Sequence, residues 1–335
     1  MRKNRASLIK KILQFVRILI GFGLLYFALK GANWVDLIKA FQSADWAWLM
    51  LALALVLAGT TLKIWRWVLL LRNFGLPKSI FNVSRAYLVG QAANILLPFR
   101  GGEVIRAGML VQGDFVVQTS QIAGSIVIEK SLDLFALTFA TFLVLPYLQV
   151  ISNRSIIYKL VLVSAMVLLL IILFGFVVYT QWPKIRKQIE HKSQKWTFSI
   201  IEKGDRFVES CLWLRDWKKL FVLLVITVMI WVSMWLTNLP VFGSVNLAAD
   251  PMLGLFILVL VYIGLIPALT PGNIAPFYFF AQLGLVTFNV PKEEALAFAM
   301  LLHAVVTLPI LVLGGVSLLF QNREKDKNWQ PQQSL

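Results

Sequence analysis

The sequence predicts an all-α integral membrane protein, a polytopic bundle of seven or eight transmembrane helices with two broken, re-entrant helical hairpins in corresponding positions of its two halves. Of the 335 residues, 59% are hydrophobic and 14% are charged, whereas a soluble domain has about 45–50% and about 25%. Apolar stretches of membrane-spanning length recur along the chain, and two further stretches are interrupted by glycine and proline. This composition excludes a soluble enzyme.

Seven uninterrupted apolar stretches predict the spanning helices, because a helix needs about 20 mostly apolar residues to cross a bilayer. They run over 12–29, 47–71, 120–147, 157–180, 219–243, 252–270 and 295–320. No small-residue cleavage site follows the first stretch, so we expect it to remain as an uncleaved span.

Two apolar segments are broken, one in each half of the chain. The segment 83–112 is interrupted at 97–103, and the segment 266–290 is interrupted by three prolines and a glycine. Non-helical backbone at membrane depth is tolerated only where it is buried in protein or lines a wet cavity. Paired breaks of this kind are typical of the substrate site in transporters built from two repeats. The alternative is a pair of kinked helices without a site.

The distribution of basic residues predicts the domain organisation and the orientation. We treat 1–335 as one transmembrane domain, with a first half at 1–180, a basic cytoplasmic loop at 181–218, a second half at 219–320 and a polar tail at 321–335. Basic clusters near the N-terminus and in the loop place both on the cytoplasmic side of the cell membrane. If the N-terminus and the loop lie on the same side, the chain must cross the membrane an even number of times between them. The four uninterrupted spans in this part already satisfy that condition. The segment 83–112 must therefore enter the membrane and return to the side from which it came. Eight crossings in total place the C-terminus inside, and seven place it outside.

The net charge of +16 would suggest a nucleic-acid partner in a soluble protein. Here the basic residues flank apolar stretches, so we expect contact with anionic lipid headgroups and no nucleic acid. The two histidines are far apart in sequence and have no Cys or carboxylate companions at ligand spacing, so we expect no metal and no other cofactor. The sequence also has no nucleotide-binding motif.

The first broken segment carries three charges around its double glycine. Arg100, Glu103 and Arg106 are spaced i, i+3 and i+6. If a helix resumes near Gly102, Glu103 and Arg106 share one of its faces. We therefore name these four residues as candidates for binding a charged headgroup.

Two carboxylates follow on the next predicted span. Glu129 and Asp133 are spaced i and i+4, with Lys130 beside them. An unpaired charge at the centre of a spanning helix costs about 2.5–3.5 kcal/mol on insertion scales. We therefore expect both acids to meet cations, and Arg100, Arg106 and Lys130 are the nearest in sequence. The alternative is a purely structural cluster of ion pairs near the interface.

Further candidates lie at the two breaks and in the last span. Asn94 precedes the Pro98 break, where its amide can satisfy freed backbone groups or touch a headgroup. Pro271 and Gly272 interrupt the second broken segment, where a resumed helix would offer its positive N-terminal end to an anion. His303 in the last span is expected to be a hydrogen-bonded packing residue, with titration near neutral pH as the alternative.

The run Trp65, Arg66 and Trp67 is typical of a membrane interface. Tryptophans concentrate at the headgroup level. We expect Arg66 to extend its guanidinium to the cytoplasmic headgroups, with a cavity-facing arginine as the less common case.

The run 94–106 resembles the N-x-x-x-P-x-R-x-G-E-x-x-R signature of the flippase-like family, which is also called the lysylphosphatidylglycerol synthase transmembrane region. The run 129–133 is similar to its E-R-x-x-D pattern, with Lys130 in place of arginine. The run 271–277 resembles its P-G-x-I-G-x-F turn, with Ala275 in place of glycine. Residues 294–303 resemble its closing helix. Together these motifs cover about residues 60–320 in the expected order.

The resemblance implies a two-half bundle with re-entrant hairpins that moves or holds a lipid with a charged headgroup. It does not imply lysyl transfer, because in the full-length synthases that chemistry resembles the work of a separate soluble domain. We therefore expect a protein that is not an enzyme, with a membrane phospholipid or a lipid-linked carrier as its partner.

Three functions are compatible with these residues. In a lipid flippase, Arg100 and Arg106 would hold an anionic phosphate, while the three acids orient those cations or exchange a proton. In an intramembrane enzyme acting on lipid-linked substrates, Glu129 and Asp133 would supply acid and base. In a scaffold, the chain would bind a partner enzyme of envelope synthesis. We favour the flippase.

Overall fold

All regular secondary structure in the described part of the chain is helical, which confirms an all-α fold. The computed structural model describes residues 20–30, 33–74, 76, 79–97, 101–111, 115–152, 156–190, 205, 216–266 and 270–327. Within these ranges, three helical segments are long and apolar enough to cross a membrane, namely Trp46–Asn73, Trp217–Ser244 and Lys292–Leu319. The chain is therefore a helical membrane protein.

The helices follow the apolar pattern of the sequence. In chain order the described residues form α1 Ile20–Leu29, α2 Trp34–Gln42, α3 Trp46–Asn73, α4 Ile80–Leu96, α5 Gly102–Leu110, α6 Phe115–Ser152, α7 Ile156–Glu190, α8 Trp217–Ser244, α9 Pro251–Leu265, α10 Ile274–Val286 and α11 Lys292–Lys327. A short 3-10 turn, Pro271–Asn273, lies between α9 and α10.

Two boundaries differ from the predicted ones. The span predicted over 252–270 is wrong at its C-terminal end, because α9 stops at Leu265. Pro267 follows two residues later, and its nitrogen has no hydrogen to continue the helical ladder. The first ten residues of the loop predicted over 181–218 are helical, as the last turns of α7. The remainder of that loop lies mostly outside the described residues.

Several acids are used to begin helices. Asp45 accepts a hydrogen bond from the backbone N–H of Ala47 at 2.8 Å, and Asp250 accepts one from Met252 at 2.8 Å. Asp216 does the same at the start of α8. An N-cap carboxylate satisfies backbone donors that have no partner inside the helix. These acids are therefore explained by local structure and are not candidates for substrate chemistry.

The helices α3 and α8 pack along each other, and the main hydrophobic core consists largely of residues from α8, α9 and the first half of α11. The short helix α9 is buried on nearly all sides, and it packs against α6, α8 and α10. The helix α11 contacts α2, α3, α4, α8 and α10, so it connects the two halves of the bundle. On the outside, α7 packs against α6 and exposes large apolar side chains such as Leu170 and Phe176.

The first broken segment folds as two antiparallel helices, α4 and α5, joined across residues 97–101. Their close approach requires glycine at two places. A Cβ on Gly102 would overlap the carbonyl oxygen of Gly90, and it would also lie 2.7 Å from the backbone nitrogen of Asn94. A Cβ on Gly90 would lie 2.7 Å from the Cβ of Arg106. Gly90 and Gly102, the second residue of the double glycine, therefore allow the two helices of this hairpin to pack closely.

The second broken segment forms another antiparallel pair, α9 and α10. The turn between them contains Gly272 with φ of +67° and Asn273 with φ of +52°. Two successive residues in the left-handed region reverse the chain direction, and glycine and asparagine adopt that region more readily than other residues. The helix pair is closed by contact between Gly264 and the ring of Phe280.

The two hairpins approach each other from opposite ends of the bundle. One end is defined by three contacts: Asp45 N–H donates to the Ser244 carbonyl, Tyr147 Oη to Asp250, and Asn33 N–H to Glu293. The helix pair α9–α10 starts and finishes at this end. The pair α4–α5 starts at the other end, after α3 has run the length of the bundle. The two hairpins meet where α4 packs against the turn Pro271–Asn273.

Candidate functional site

A cluster of six charged side chains joins α3, α5 and α6. We call it the charged cluster. Its members are Arg66, Glu103, Arg106, Glu129, Lys130 and Asp133. Each of its three carboxylates is paired with one cation, so the cluster is neutral as a whole.

The most deeply buried pair joins α5 to α6. Arg106 donates from Nη2 to Glu129 Oε2 at 3.0 Å and from Nη1 to Oε1 at 3.4 Å, and the two side chains are 2% and 3% exposed. The guanidinium also lies 4.2 Å from the ring centroid of Trp67 and 5.3 Å from that of Tyr87. A bidentate carboxylate and two aromatic faces compensate the charge of this cation, although its Nε has no hydrogen-bond partner among the described residues. Glu129 thus meets a cation, as expected, and its partner Arg106 is one of the three cations that are nearest in sequence.

The second pair joins α3 to α6 and α8. Arg66 Nη1 lies 2.8 Å from Asp133 Oδ1 and donates to Thr227 Oγ1 at 3.1 Å. The expectation that Arg66 extends to the headgroups is wrong, because its side chain is 1% exposed. Trp67 is also buried and donates from Nε1 to Ser125 Oγ at 3.1 Å, so it does not belong to an interfacial belt. Asp133 supplies the counter-charge that makes a buried arginine stable at this place.

The third pair is closer to the surface. Lys130 Nζ lies 3.1 Å from Glu103 Oε1, with the side chains 42% and 29% exposed. This contact connects α6 to the start of α5 beside the double glycine. Because both groups retain solvent contact, the pair adds little stability and mainly sets the position of α5.

A cavity of about 280 Å³ lies beside the charged cluster, between the tips of the two hairpins. It is lined by α3, α4, α8, α9, α10, α11 and the turn Pro271–Asn273. Its polar side chains include Thr60, Lys63, Gln91, Asn238, His303 and Thr307. The cavity therefore combines hydrogen-bonding groups with an apolar wall, as small-molecule sites commonly do.

Lys63 is the cation of this cavity. It lies on the same face of α3 as Thr60 and Arg66, and its side chain lines the cavity. Among the residues that the structure describes, it has no ion-pair partner within 4 Å and no hydrogen-bond partner, in contrast to the three cations of the charged cluster, although the charges of Asp133 and Glu129 on α6 act on it from a greater distance. A cation in such surroundings attracts an anionic ligand.

Sequence reasoning missed Lys63 as a site residue. It lies inside the predicted span 47–71. A lysine within a spanning segment is by itself a functional signal, because such charges are rare and usually face a cavity. Gln91 and Asn238 were missed because neutral polar residues in apolar helices give a much weaker signal.

The tip of the second hairpin contacts the last helix through His303. Its Nε2 lies 3.0 Å from the carbonyl oxygen of Gly272, and its ring lies 4.9 Å from the ring centroid of Phe277. His303 is therefore hydrogen-bonded, as expected, and both His303 and Gly272 line the cavity. Pro271 begins the turn that carries Gly272.

The remaining predicted residues lie around the cavity without lining it. Glu103, Arg106, Glu129 and Asp133 belong to the charged cluster, which is connected to the cavity through Tyr87, since Tyr87 both lines the cavity and contacts Arg106. Asn94 lies against Gly102 in the first hairpin, and among the described residues its Oδ1 has no hydrogen-bond partner. Arg100 and Pro98 lie outside the described residues.

The fold and the site define a helical membrane protein in which two hairpins enclose a polar cavity beside a neutral cluster of buried charges. The sequence profile of the lysylphosphatidylglycerol synthase TM region matches residues 14–314. The chain therefore belongs to that family, as the motifs indicated, and to the membrane proteins related to lipid handling. A comparison with curated proteins gives no match.

Proposed function

We propose that this protein is a lipid translocator that binds an anionic phosphate headgroup in the cavity between its two hairpins. The observation that carries the proposal is the Lys63 ammonium, which lines the cavity without a counter-ion among the described residues. A phosphate oxygen would form a charge-assisted hydrogen bond with this group. The start of α10 at Ile274, which follows the cavity-lining Gly272 and Asn273, adds the positive end of a helix.

The proposal assigns different tasks to the cations. Lys63 contacts the phosphate, because it is unpaired. Arg106 is occupied by Glu129, so it fixes the position of Tyr87 at the cavity wall. Arg66 and Asp133 hold α3 against α6, which keeps the Lys63 face of α3 turned toward the cavity.

In the proposed arrangement both hairpins are re-entrant, and they enter the cell membrane from opposite sides. The helix lengths support this arrangement: α5 has 9 residues, α10 has 13, α9 has 15 and α4 has 17. These lengths correspond to about 13, 20, 22 and 26 Å, short of the roughly 30 Å of a hydrocarbon core. Six crossings then remain, one fewer than the lower predicted count, and they are formed by α1, α3, α6, α7, α8 and α11.

With six crossings, the N-terminus and the C-terminus both lie on the cytoplasmic side. A reporter enzyme fused after residue 335 tests this orientation, because it is active only on one side of the membrane. A C-terminus on the outer side would contradict the proposed arrangement.

The proposal includes no catalysed reaction. Each carboxylate of the charged cluster is paired with a cation, which makes it a poor general base. Among the described residues, no three His, Cys, Asp or Glu side chains gather at metal-binding distance. The described cavity thus supplies groups that bind a headgroup rather than groups that cleave it.

The experiment is lipid translocation by purified protein in liposomes. Fluorescent phosphatidylglycerol is reconstituted with the parent protein, Lys63→Gln or Lys39→Gln, and an impermeant quencher reports movement between leaflets. Lys39 is an exposed residue of α2 paired with Asp36, so its variant controls for the loss of one charge. A lost hydrogen bond to a charged group is worth about 1.5–3 kcal/mol, so we expect Lys63→Gln to slow translocation roughly 10- to 100-fold.

The result that would contradict the proposal is an unchanged rate in a folded Lys63→Gln protein. If the parent protein moves no lipid but co-purifies with an enzyme of envelope synthesis, the scaffold function replaces the translocator. Release of a modified lipid by the purified protein would instead establish an intramembrane enzyme.

A further inference from the structure

The cavity contains a cation but no carboxylate among its described lining residues. The nearby acids do not change this, because Glu103, Glu129 and Asp133 are each paired with a cation of the charged cluster. A headgroup that brings its own ammonium would therefore find no unpaired carboxylate among the described residues that line the cavity.

The aromatic rings of the cavity wall do not form an open cage for a cation. Tyr87 lies 5.3 Å from the guanidinium of Arg106, and Phe277 is in ring contact with His303. Tyr262 packs against Trp231 at 5.1 Å. Recognition of an ammonium by aromatic side chains needs free ring faces turned toward the ligand. Each of these rings is already in contact with a neighbouring protein group.

The neutral polar groups of the cavity are mainly hydrogen-bond acceptors. Thr60 Oγ1 donates its hydrogen to the Val56 carbonyl at 2.8 Å, so its oxygen can only accept from a ligand. Asn238 donates from Nδ2 to the carbonyl oxygens of Met234 and Trp235. Its Oδ1 is buried and has no hydrogen-bond partner among the described residues. Such acceptors match a ligand that carries several hydroxyl groups.

We infer that the cavity selects lipids whose headgroup combines one phosphate with an uncharged polyol, such as glycerol or a sugar, and that it rejects headgroups bearing an ammonium. This inference rests on the proposed translocator function. With a polyol headgroup, the phosphate neutralises Lys63 and the hydroxyls donate to acceptors such as Thr60 and Asn238. With an aminoacylated or ethanolamine headgroup, the added ammonium lies unpaired near Lys63 in a site of low dielectric constant, which is strongly unfavourable.

The inference is tested with lipids that differ only in the headgroup. Liposomes containing the parent protein are assayed with labelled phosphatidylglycerol, lysylphosphatidylglycerol, phosphatidylethanolamine and an isoprenoid-linked sugar phosphate. We expect the two ammonium lipids to move at least about tenfold more slowly than the faster of the two polyol lipids. The faster of the two polyol lipids shows whether the cavity prefers a phospholipid or an isoprenoid-linked carrier. Either result supports the inference.

A single substitution tests the charge argument by changing the preference. Gln91 lines the cavity on α4, and Gln91→Glu adds a carboxylate of nearly the same shape. We expect this variant to raise the rate of lysylphosphatidylglycerol relative to phosphatidylglycerol about tenfold. Gln42→Glu, on the exposed end of α2, is the matched control and keeps the parental ratio.

The outcomes separate the two proposals. Equal transport of ammonium and polyol lipids by the parent protein would overturn the inferred selectivity and leave the translocator function standing. Movement of no lipid at all would overturn both. If Gln91→Glu does not fold, as judged by gel filtration, the inferred selectivity is decided by the rates at which the parent protein moves ammonium and polyol lipids.

Discussion

Lys63 and Arg106 are two buried or half-buried cations with very different surroundings. Arg106 has a bidentate carboxylate and two aromatic faces, whereas Lys63 faces the cavity without a partner among the described residues. A satisfied charge stabilises the fold, and an unsatisfied one is available to a ligand. This difference decides which of the two residues contacts the headgroup in the proposed function.

The paired charges lead to a prediction about stability. Glu129→Gln leaves the buried Arg106 without its carboxylate, and breaking a buried pair in this way costs about 3–5 kcal/mol. The double variant Glu129→Gln with Arg106→Gln should recover part of that loss, because no charge is left unpaired. Thermal unfolding in detergent measures both effects.

The more exposed pair provides the control for this prediction. Glu103→Gln removes one partner of the contact with Lys130, in which both side chains retain solvent contact. We expect a change of no more than about 1 kcal/mol. Equal destabilisation by Glu103→Gln and Glu129→Gln would contradict the view that burial of an ion pair determines the cost of breaking it.

At the scale of elements, the first hairpin depends on the close packing of α4 and α5. Gly102→Ala introduces a Cβ that overlaps the Gly90 carbonyl. We expect a loss of about 1–3 kcal/mol, as for other overpacked sites. Gly108→Ala on the same helix is the matched control, because a Cβ there meets nothing within 4 Å.

The control variant should be neutral or slightly stabilising, since alanine favours a helix over glycine by up to about 1 kcal/mol. Unfolding midpoints of the two variants, compared in one detergent, measure the difference. If Gly102→Ala is as stable as Gly108→Ala, the two helices are not packed as closely as described.

Most of the elements could be predicted from the sequence, whereas the partners within the site could not. Apolar length predicted α3, α6, α8 and α11, and the glycine and proline breaks predicted both hairpins. The partner of Arg66 was missed because α3 is apolar on nearly all sides, so its pattern does not indicate which face meets α6. Lys63 was missed for the same reason, since the pattern of α3 does not indicate which of its faces lines the cavity. The short length of α9 was missed because the apolar composition continues past its end.

At the scale of the whole molecule, the two hairpins and α11 surround one cavity. The two hairpins start at opposite ends of the bundle, and α11 contacts elements of both halves. A headgroup in this cavity would lie between the two sides of the membrane, at the place where repeat-built transporters bind their substrates. The central claim is therefore that a phosphate headgroup occupies this cavity and contacts Lys63.

The most direct measurement of this claim is the protection of a cavity cysteine by lipid. The single native cysteine is replaced by Cys211→Ser, and Thr307→Cys introduces a thiol at the cavity wall on α11. The control, Gln42→Cys, lies at the exposed end of α2, outside the candidate membrane spans. Labelling by a small water-soluble thiol reagent is then followed with and without phosphatidylglycerol.

We expect phosphatidylglycerol to slow the labelling of Thr307→Cys, to leave the labelling of Gln42→Cys unchanged, and to give no protection once Lys63→Gln is added. Labelling of Thr307→Cys at the same rate with and without the lipid, or full protection in the Lys63→Gln background, would contradict a phosphate site at Lys63.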